Sequence, residues 1–313
     1  MSTKNYQSRL PANSFPTTAA NIGFFRRDSI GHLLGSVSAT AALATLSYAL
    51  LEPYRIIVHK FHVRMPGLPK SAEGMRLAQL SDLHCSALTS ARLIDRAVEL
   101  CNAETPDAVL LTGDYVSRRN SYMTLSPQRL LAKPVMDYAA RVAESLGALR
   151  APLGVFAVAG NHDRANGRYD SIAALLESVG VQSLLNSSAR PRGLALIGVD
   201  DLRAGRPEWR TACQGIGRSE AQVILSHNPR LLSVFAGRNC LMLSGHTHSG
   251  QVHLPFTSFR RTPNDMQGSM LQGGWYSDGD ARLYVSAGVG SVHFPLRFCC
   301  PPEIAIFTLL PAD

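Results

Sequence analysis

The sequence predicts a layered α/β domain carrying two β-sheets, and three observations support this. From Met75 onward, short apolar runs alternate with helical periods. Several runs are apolar at almost every position, which is the pattern of strands covered on both faces. The second half of the chain holds more such runs than helices, which calls for a second sheet packed on the first.

In chain order the strand-like runs are MRLAQLSD (75–82), AVLLTGD (108–114), GVFAVAGN (154–161), LALIGVD (194–200), QVILSHN (222–228), CLMLSGH (240–246), RLYVSAG (282–288) and EIAIFTLL (303–310). Between the early runs lie amphipathic stretches. Residues 91–103 place Leu93, Ile94, Ala97, Val98 and Cys101 on one face, 134–149 do so with Val135, Tyr138, Val142, Leu146 and Leu149, and 171–179 form a shorter case. No internal repeat or low-complexity segment interrupts this order.

The N-terminal region has a different character. Residues 1–28 are polar and end in Arg26-Arg27-Asp28, while 29–51 contain no Asp, Glu, Lys or Arg. That length suits a bilayer crossing, so 29–51 is expected to be a hydrophobic helix acting as a membrane anchor, with an export signal on the arginine pair or a buried helix as the alternatives. Arg26 and Arg27 on one side and Arg55, Lys60 and Arg64 on the other leave its orientation open. Residues 52–74 read as a linker and 75–313 as the catalytic domain.

The 313 residues, 45% hydrophobic and 17% charged, describe a globular chain with a substantial core. Its net charge of +8 fits an anionic membrane surface, a phosphorylated substrate or simply a solvated basic surface, and charge alone does not choose, although the lack of a long Lys/Arg run argues against nucleic acid as partner. Six scattered cysteines, with no C-x-x-C pair and a vicinal Cys299–Cys300, argue against a disulfide framework or zinc ribbon.

Five of the apolar runs end in residues able to bind a metal, where open α/β sheets place their sites. These are Asp82 and His84, then Asp114, then Asn161 with His162 and Asp163, then His227, then His246 and His248. In extended backbone, the i, i+2 spacing of Asp82/His84 and His246/His248 would point each pair at one centre. The oxygen donors Asp82, Asp114 and Asn161, with imidazoles His84, His227, His246 and His248, exceed the needs of one tetrahedral ion and suit two ions sharing a carboxylate. His253 falls outside the pattern.

D-x-H, G-D, G-N-H-[DE], H and G-H-x-H, in that order, make the chain resemble the calcineurin-like metallophosphoesterases. The stretches GVDD (198–201), LSHNP (225–229), LSGHTHSGQ (243–251), LYVSAGVG (283–290) and LRFCCPPEI (296–304) are similar to the membrane-associated branch of that superfamily and to UDP-2,3-diacylglucosamine pyrophosphatases. Ser249 stands where the branch usually has glycine. The resemblance implies a four-layer αββα sandwich in which Asp82, His84 and His248 hold one ion, Asn161, His227 and His246 the other, and Asp114 bridges them.

Hydrolysis of a phosphoester needs a nucleophilic hydroxide, relief of phosphoryl charge and a protonated leaving group. Two divalent ions meet the first two needs, with Mn the first choice and Fe or Zn the alternatives for this N/O donor set. His162, beside a ligand but not needed as one, is the candidate acid. Asp163 is expected to orient that imidazole, or else to be a turn carboxylate. Among Arg118, Arg119, Arg164, Arg168 and Arg297, Arg164 is the first candidate to grip phosphate. The resulting expectation is a phosphohydrolase anchored at a bacterial inner membrane, acting on a lipid-linked nucleotide such as UDP-2,3-diacylglucosamine. That substrate would place it on the cytoplasmic face. The alternatives are an exported general phosphodiesterase, a nuclease and a non-catalytic scaffold.

Overall fold

A computed structural model of the chain describes residues 40–117, 133–254, 260–261 and 271–312. Arg26, Arg27, Arg118, Arg119, the polar tail and residues 29–39 lie outside the described residues. Residues 40–51 are helical (α1). Among the described residues no helix is long and apolar enough to cross a membrane, and the expected hydrophobic helix over 29–51 falls within them only from residue 40.

Residues Leu46–Asp313 form one compact unit. Its strands are β1 (Ile57–Met65), β2 (Arg76–Leu80), β3 (Ala108–Leu111), β4 (Val155–Ala157), β5 (Val181–Ser183), β6 (Ser187–Ala189), β7 (Ala195–Val199), β8 (Gln222–Ser226), β9 (Cys240–Ser244), β10 (Val252–His253), β11 (Arg260–Arg261), β12 (Gly274–Asp278), β13 (Ala281–Val285) and β14 (Glu303–Pro311). One six-stranded sheet runs β1-β14-β2-β3-β4-β5, and a second runs β12-β13-β9-β8-β7-β6. The helices are α2 (Ala91–Ala103), α3 (Val135–Leu146), α4 (Asn161–Arg164), α5 (Tyr169–Glu177) and α6 (Trp209–Ala212).

The near-continuous apolar runs arise because each strand feeds two cores. Val109 and Leu111 of β3 face α2, α3 and α5, while Ala108 and Leu110 face the second sheet. In β14, Ile304 and Ile306 point outward and Ala305, Phe307 and Leu309 inward. In β9, Leu241 and Leu243 enter the inter-sheet core, while Cys240 and Met242 pack under α6 and the helical turn Pro229–Phe235. With a side-chain period of two, such a strand has no polar face to show. The order is helix, sheet, sheet, helix, and the last layer consists only of short helical turns.

The expected linker over 52–74 contains a strand. β1 pairs in parallel with β14 along its whole length, Ile57 with Glu303 through Met65 with Pro311. Phe61, Val63 and Met65 alternate inward, whereas His59 and Lys60 and the other polar residues make the run read as a connection until its partner, far away in sequence, is known. β14 is antiparallel to β2 on its other side.

An aromatic cluster fills the inter-sheet space at this seam. The Phe307 ring lies 5.6 Å from Phe61 and 5.4 Å from Tyr284, and Phe307 is fully buried. Truncating it leaves a cavity flanked by two sheets that cannot collapse independently. Phe307→Ala is therefore expected to lower unfolding free energy by about 3–5 kcal/mol, read from the urea midpoint at unchanged slope.

Candidate metal centre

The five predicted strand endings converge at the carboxyl ends of β2, β3, β4, β8 and β9. The i, i+2 pairs are not extended, however. Asp82 (φ 51°), His84 (φ 46°), Asp114 (φ 58°), His246 (φ 73°) and His248 (φ 51°) all occupy the left-handed region, so successive tight turns, not a pleat, aim these side chains inward. Ser249 follows at φ 51°, a conformation that glycine adopts without strain, and the structure accommodates the serine there.

The donors come within ligand range of one another. His84 Nε2 and His248 Nε2 are 3.0 Å apart, and Asp82 Oδ1 lies 3.7 Å from the first and 3.4 Å from the second. His246 Nδ1 meets His227 Nε2 at 3.2 Å. Between these clusters, Asp114 Oδ2 lies 3.3 Å from His84 Nε2 and 3.3 Å from His227 Nε2. One carboxylate oxygen thus faces both groups. Asn161 Oδ1 and His248 Nδ1 are buried with no hydrogen-bond partner, and the Asn161 oxygen is an acceptor in need of a cation or donor. This donor set, all N and O, fits two divalent cations.

The surrounding structure orients the ligands. His227 Nδ1 donates to the Thr112 carbonyl at 2.8 Å, which leaves its Nε2 turned to the centre. Ser81 donates to Asp82 Oδ2 at 2.6 Å, and the His246 N–H reaches both Asp82 oxygens. Ser117 Oγ lies 3.3 Å from His84 Nδ1. Gly245 and Gly160 are required by close approach: a Cβ on Gly245 would strike Asp82 and Ser81, and one on Gly160 would strike Asp114.

Without a metal, the electrostatics already favour a cation here. Burial opposes ionisation of Asp82 and Asp114, but the imidazoles offset it. His248 and His84 pull Asp82 below the usual carboxylate range, and His227 and His162 do the same for Asp114. Burial would lower His227 too, yet Asp114 and then Asp82 hold it well above an ordinary histidine. His246, buried and repelled by His227, falls to about 3.

His162 sits at the edge of the centre. Its N–H donates to Asp114 Oδ1 at 2.8 Å and its ring stands edge-on to His84, 4.8 Å between centroids. Burial pushes its pKa down to about 4, with Asp114 opposing, so the ring is neutral near pH 7 until an anionic group arrives beside it.

Asp163 turns its carboxylate to backbone amides. Its Oδ2 accepts from the N–H groups of Asp114 (2.7 Å) and Gly160 (2.9 Å), and its Oδ1 from those of Tyr115 (2.9 Å) and Val116 (3.4 Å). It is the turn carboxylate that shapes the Asp114 loop. Arg164 differs from expectation. It forks onto Asp200, with Nε to Oδ1 at 2.8 Å, and lies over the Tyr169 ring at 4.8 Å. A substrate would have to displace that pair. Arg297 is fully buried, donating to the carbonyls of Ala287, Gly288 and Cys300. His253 contacts the Ser249 carbonyl, outside the ligand cluster. Ser81, Thr112 and Ser117 carry no metal-binding group that marks them in the sequence, although each stands next to or within three residues of a motif.

Buried carboxylates and imidazoles at the carboxyl ends of two packed sheets define a metal-dependent hydrolase. The Calcineurin-like phosphoesterase family model matches residues 75–250, and the chain belongs to that family. It is 28% identical over 294 residues to the metallophosphoesterase YkuE of Bacillus subtilis, covering 91% of this chain and 97% of YkuE. It is 30% identical over 295 residues to the phosphodiesterase YaeI of Escherichia coli, covering 91% and 99%. The UDP-2,3-diacylglucosamine pyrophosphatase LpxG of Chlamydia trachomatis is 26% identical over 341 residues, covering 88% of this chain and 98% of LpxG. The chain is a phosphoester hydrolase.

The Arg164–Asp200 pair gives a direct test of the arginine's role. Asp200 is 1% exposed, so Arg164→Ala leaves a buried carboxylate with only the N–H groups of Asp201 and Arg206 as donors. The variant is expected to lose about 1.5–3 kcal/mol of stability in urea unfolding, the range for lost hydrogen bonds to a charged group, with the KM for a phosphodiester little changed. A raised KM at unchanged stability would return the arginine to phosphate binding.

Proposed function

We propose that this chain is a two-metal phosphohydrolase that cleaves a phosphodiester or pyrophosphate bond in a lipid-linked nucleotide of the UDP-2,3-diacylglucosamine type. The observation that carries the two-metal part is the shared approach of Asp114 Oδ2 to His84 and His227. Asp82, His84 and His248 would hold one ion, and Asn161, His227 and His246 the other, with Asp114 between them. When bound, two divalent ions, Mn²⁺ first among them, lower the pKa of a water and offset charge on the phosphoryl oxygens.

The protein's own groups do the rest. Asp114 and Asp82 keep their carboxylates ionised, and the Thr112 carbonyl keeps His227 in one orientation. His162 gives its proton to the leaving oxygen once the anionic phosphoryl group beside it has raised its pKa. Asp163 holds the loop on which Asp114 is carried.

The lipid-linked part is supported by the likeness to LpxG, by the charge-free stretch 29–51 and by the exposed side chains Leu46, Leu50, Leu51 and Tyr54. In this reading the enzyme is held at a bacterial inner membrane, with its domain on the cytoplasmic face, and its basic balance suits anionic lipid. The likeness to YaeI favours a second reading, a phosphodiesterase of broader substrate range whose N-terminal segment serves export.

Full-length enzyme loaded with Mn²⁺ is expected to cleave UDP-2,3-diacylglucosamine at least tenfold faster, in kcat/KM, than bis-p-nitrophenyl phosphate. Cleavage of the aryl diester alone would select the second reading. Asp114→Asn is expected to lose both metal ions and activity, measured by metal analysis and turnover. His162→Ala should keep its metals and lose about 10²–10⁴ in kcat.

A further inference from the structure

The segment joining α1 to β1 is bonded to the metal centre. Glu52 is 3% exposed although it stands where the expected anchor gives way to the expected linker. Its Oε1 accepts from the Tyr48 hydroxyl at 2.7 Å, and its Oε2 accepts from the Cys300 N–H at 3.2 Å. One turn earlier, the Ala49 carbonyl accepts from the Arg297 N–H at 3.0 Å, and Tyr48 packs edge-on against Phe298 with centroids 5.6 Å apart. α1 is thus fastened to residues 297–300 at several points.

Those residues reach the ligands on both sides. The Cys300 thiol donates to the His248 carbonyl at 3.4 Å. Arg297 Nη1 donates to the Cys300 carbonyl at 3.1 Å, and Nη2 to the carbonyls of Ala287 at 2.9 Å and Gly288 at 3.2 Å. The loop so gathered supports Asp82, because Val289 N–H donates to the Ser81 carbonyl at 3.0 Å and Gly290 N–H to the Asp82 carbonyl at 2.7 Å. Asp82 and His248 belong to the same proposed ion site. Each sits at positive φ, a conformation that persists only where the surroundings over-determine it.

We propose that Glu52 is a positioning residue of this enzyme: through Cys300 and the Arg297-bound loop it holds the backbones of His248 and Asp82 in the geometry that binds one metal ion. The N-terminal segment is then part of the centre, and cutting the chain at residue 53 would remove the clamp. Anything that pulls on α1, a lipid surface included, acts on that ion's site. This inference rests on the two-metal reading of the proposed function.

The test is Mn²⁺ binding to the full chain, followed by titration calorimetry, for the wild type, Glu52→Ala, Glu52→Gln and, as a control in the same turn, the exposed Tyr54→Ala. Glu52→Ala is expected to weaken one of two binding steps about tenfold and leave the other unchanged, the range seen when outer hydrogen-bond partners of ligands are removed. Glu52→Gln, which keeps an acceptor oxygen, should recover most of that loss, and Tyr54→Ala should match the wild type. A merely structural glutamate would lower the melting temperature of the metal-free protein and leave both binding steps intact, and that result overturns the proposal. Should Glu52→Ala fail to fold, Cys300→Ala, which removes the thiol's contacts to the His248 and Ser249 carbonyls and to Arg297 but keeps the N–H that Glu52 accepts from, takes its place under the same criterion. A wild type that binds fewer than two ions would instead refute the two-metal reading.

Discussion

Two carboxylates buried among imidazoles set the terms for this molecule. Asp82 and Asp114 are at most 2% exposed, and water offers them almost nothing. Charge of that kind persists in a protein interior only when positive charge and hydrogen-bond donors converge on it. Here the donors include backbone amides, His246 N–H on Asp82 and His162 N–H on Asp114, beside the Ser81 hydroxyl on Asp82. Placing amides at those points requires sharp turns after β2, β3, β4 and β9, and the turns need glycine or left-handed backbone at the residues that make them. The strands must therefore end at one level, and both sheets must present their carboxyl ends to the same space.

Asp163 shows how this requirement spreads beyond the ligands. Its carboxylate gathers backbone donors from the Asp114 loop and from Gly160, so that the bridging residue and the Asn161 turn are one unit. Gln79 performs a similar service between the sheets. From β2 its amide reaches Thr112 at 3.1 Å and the Ser244 carbonyl, at the end of β9, at 2.9 Å. The layer beneath the metal centre is thus tied across the inter-sheet core as well as along each sheet.

Much of this could be read from the sequence. The strands that feed two cores stand out as apolar runs, and α2 occupies the 91–103 span that its spacing of Leu93, Ile94, Ala97, Val98 and Cys101 indicates. The ligand candidates are legible because metal-binding residues fall where strands stop. Three kinds of feature were not legible. β1 is a half-polar edge strand whose partner lies at the other end of the chain, so local pattern reads it as a connection. β5, β6 and β12 are short or half-exposed and lack a strong period. The roles of Asp163, Arg164 and Arg297 depend on what each side chain meets in three dimensions, and their neighbourhood in sequence suggests substrate where the fold supplies backbone carbonyls, amides or Asp200.

The place of β14 has a consequence for how the protein is made. It lies between β1 and β2, pairing in parallel with one and antiparallel with the other, yet it is made after every other described strand. Until then β1 has no neighbour and β2 exposes an open apolar edge, the kind of surface that invites aggregation. The first sheet can close only once residues 303–311 have been made, with long-range pairing as its slow step. During translation, the half-built domain depends on whatever shields that edge.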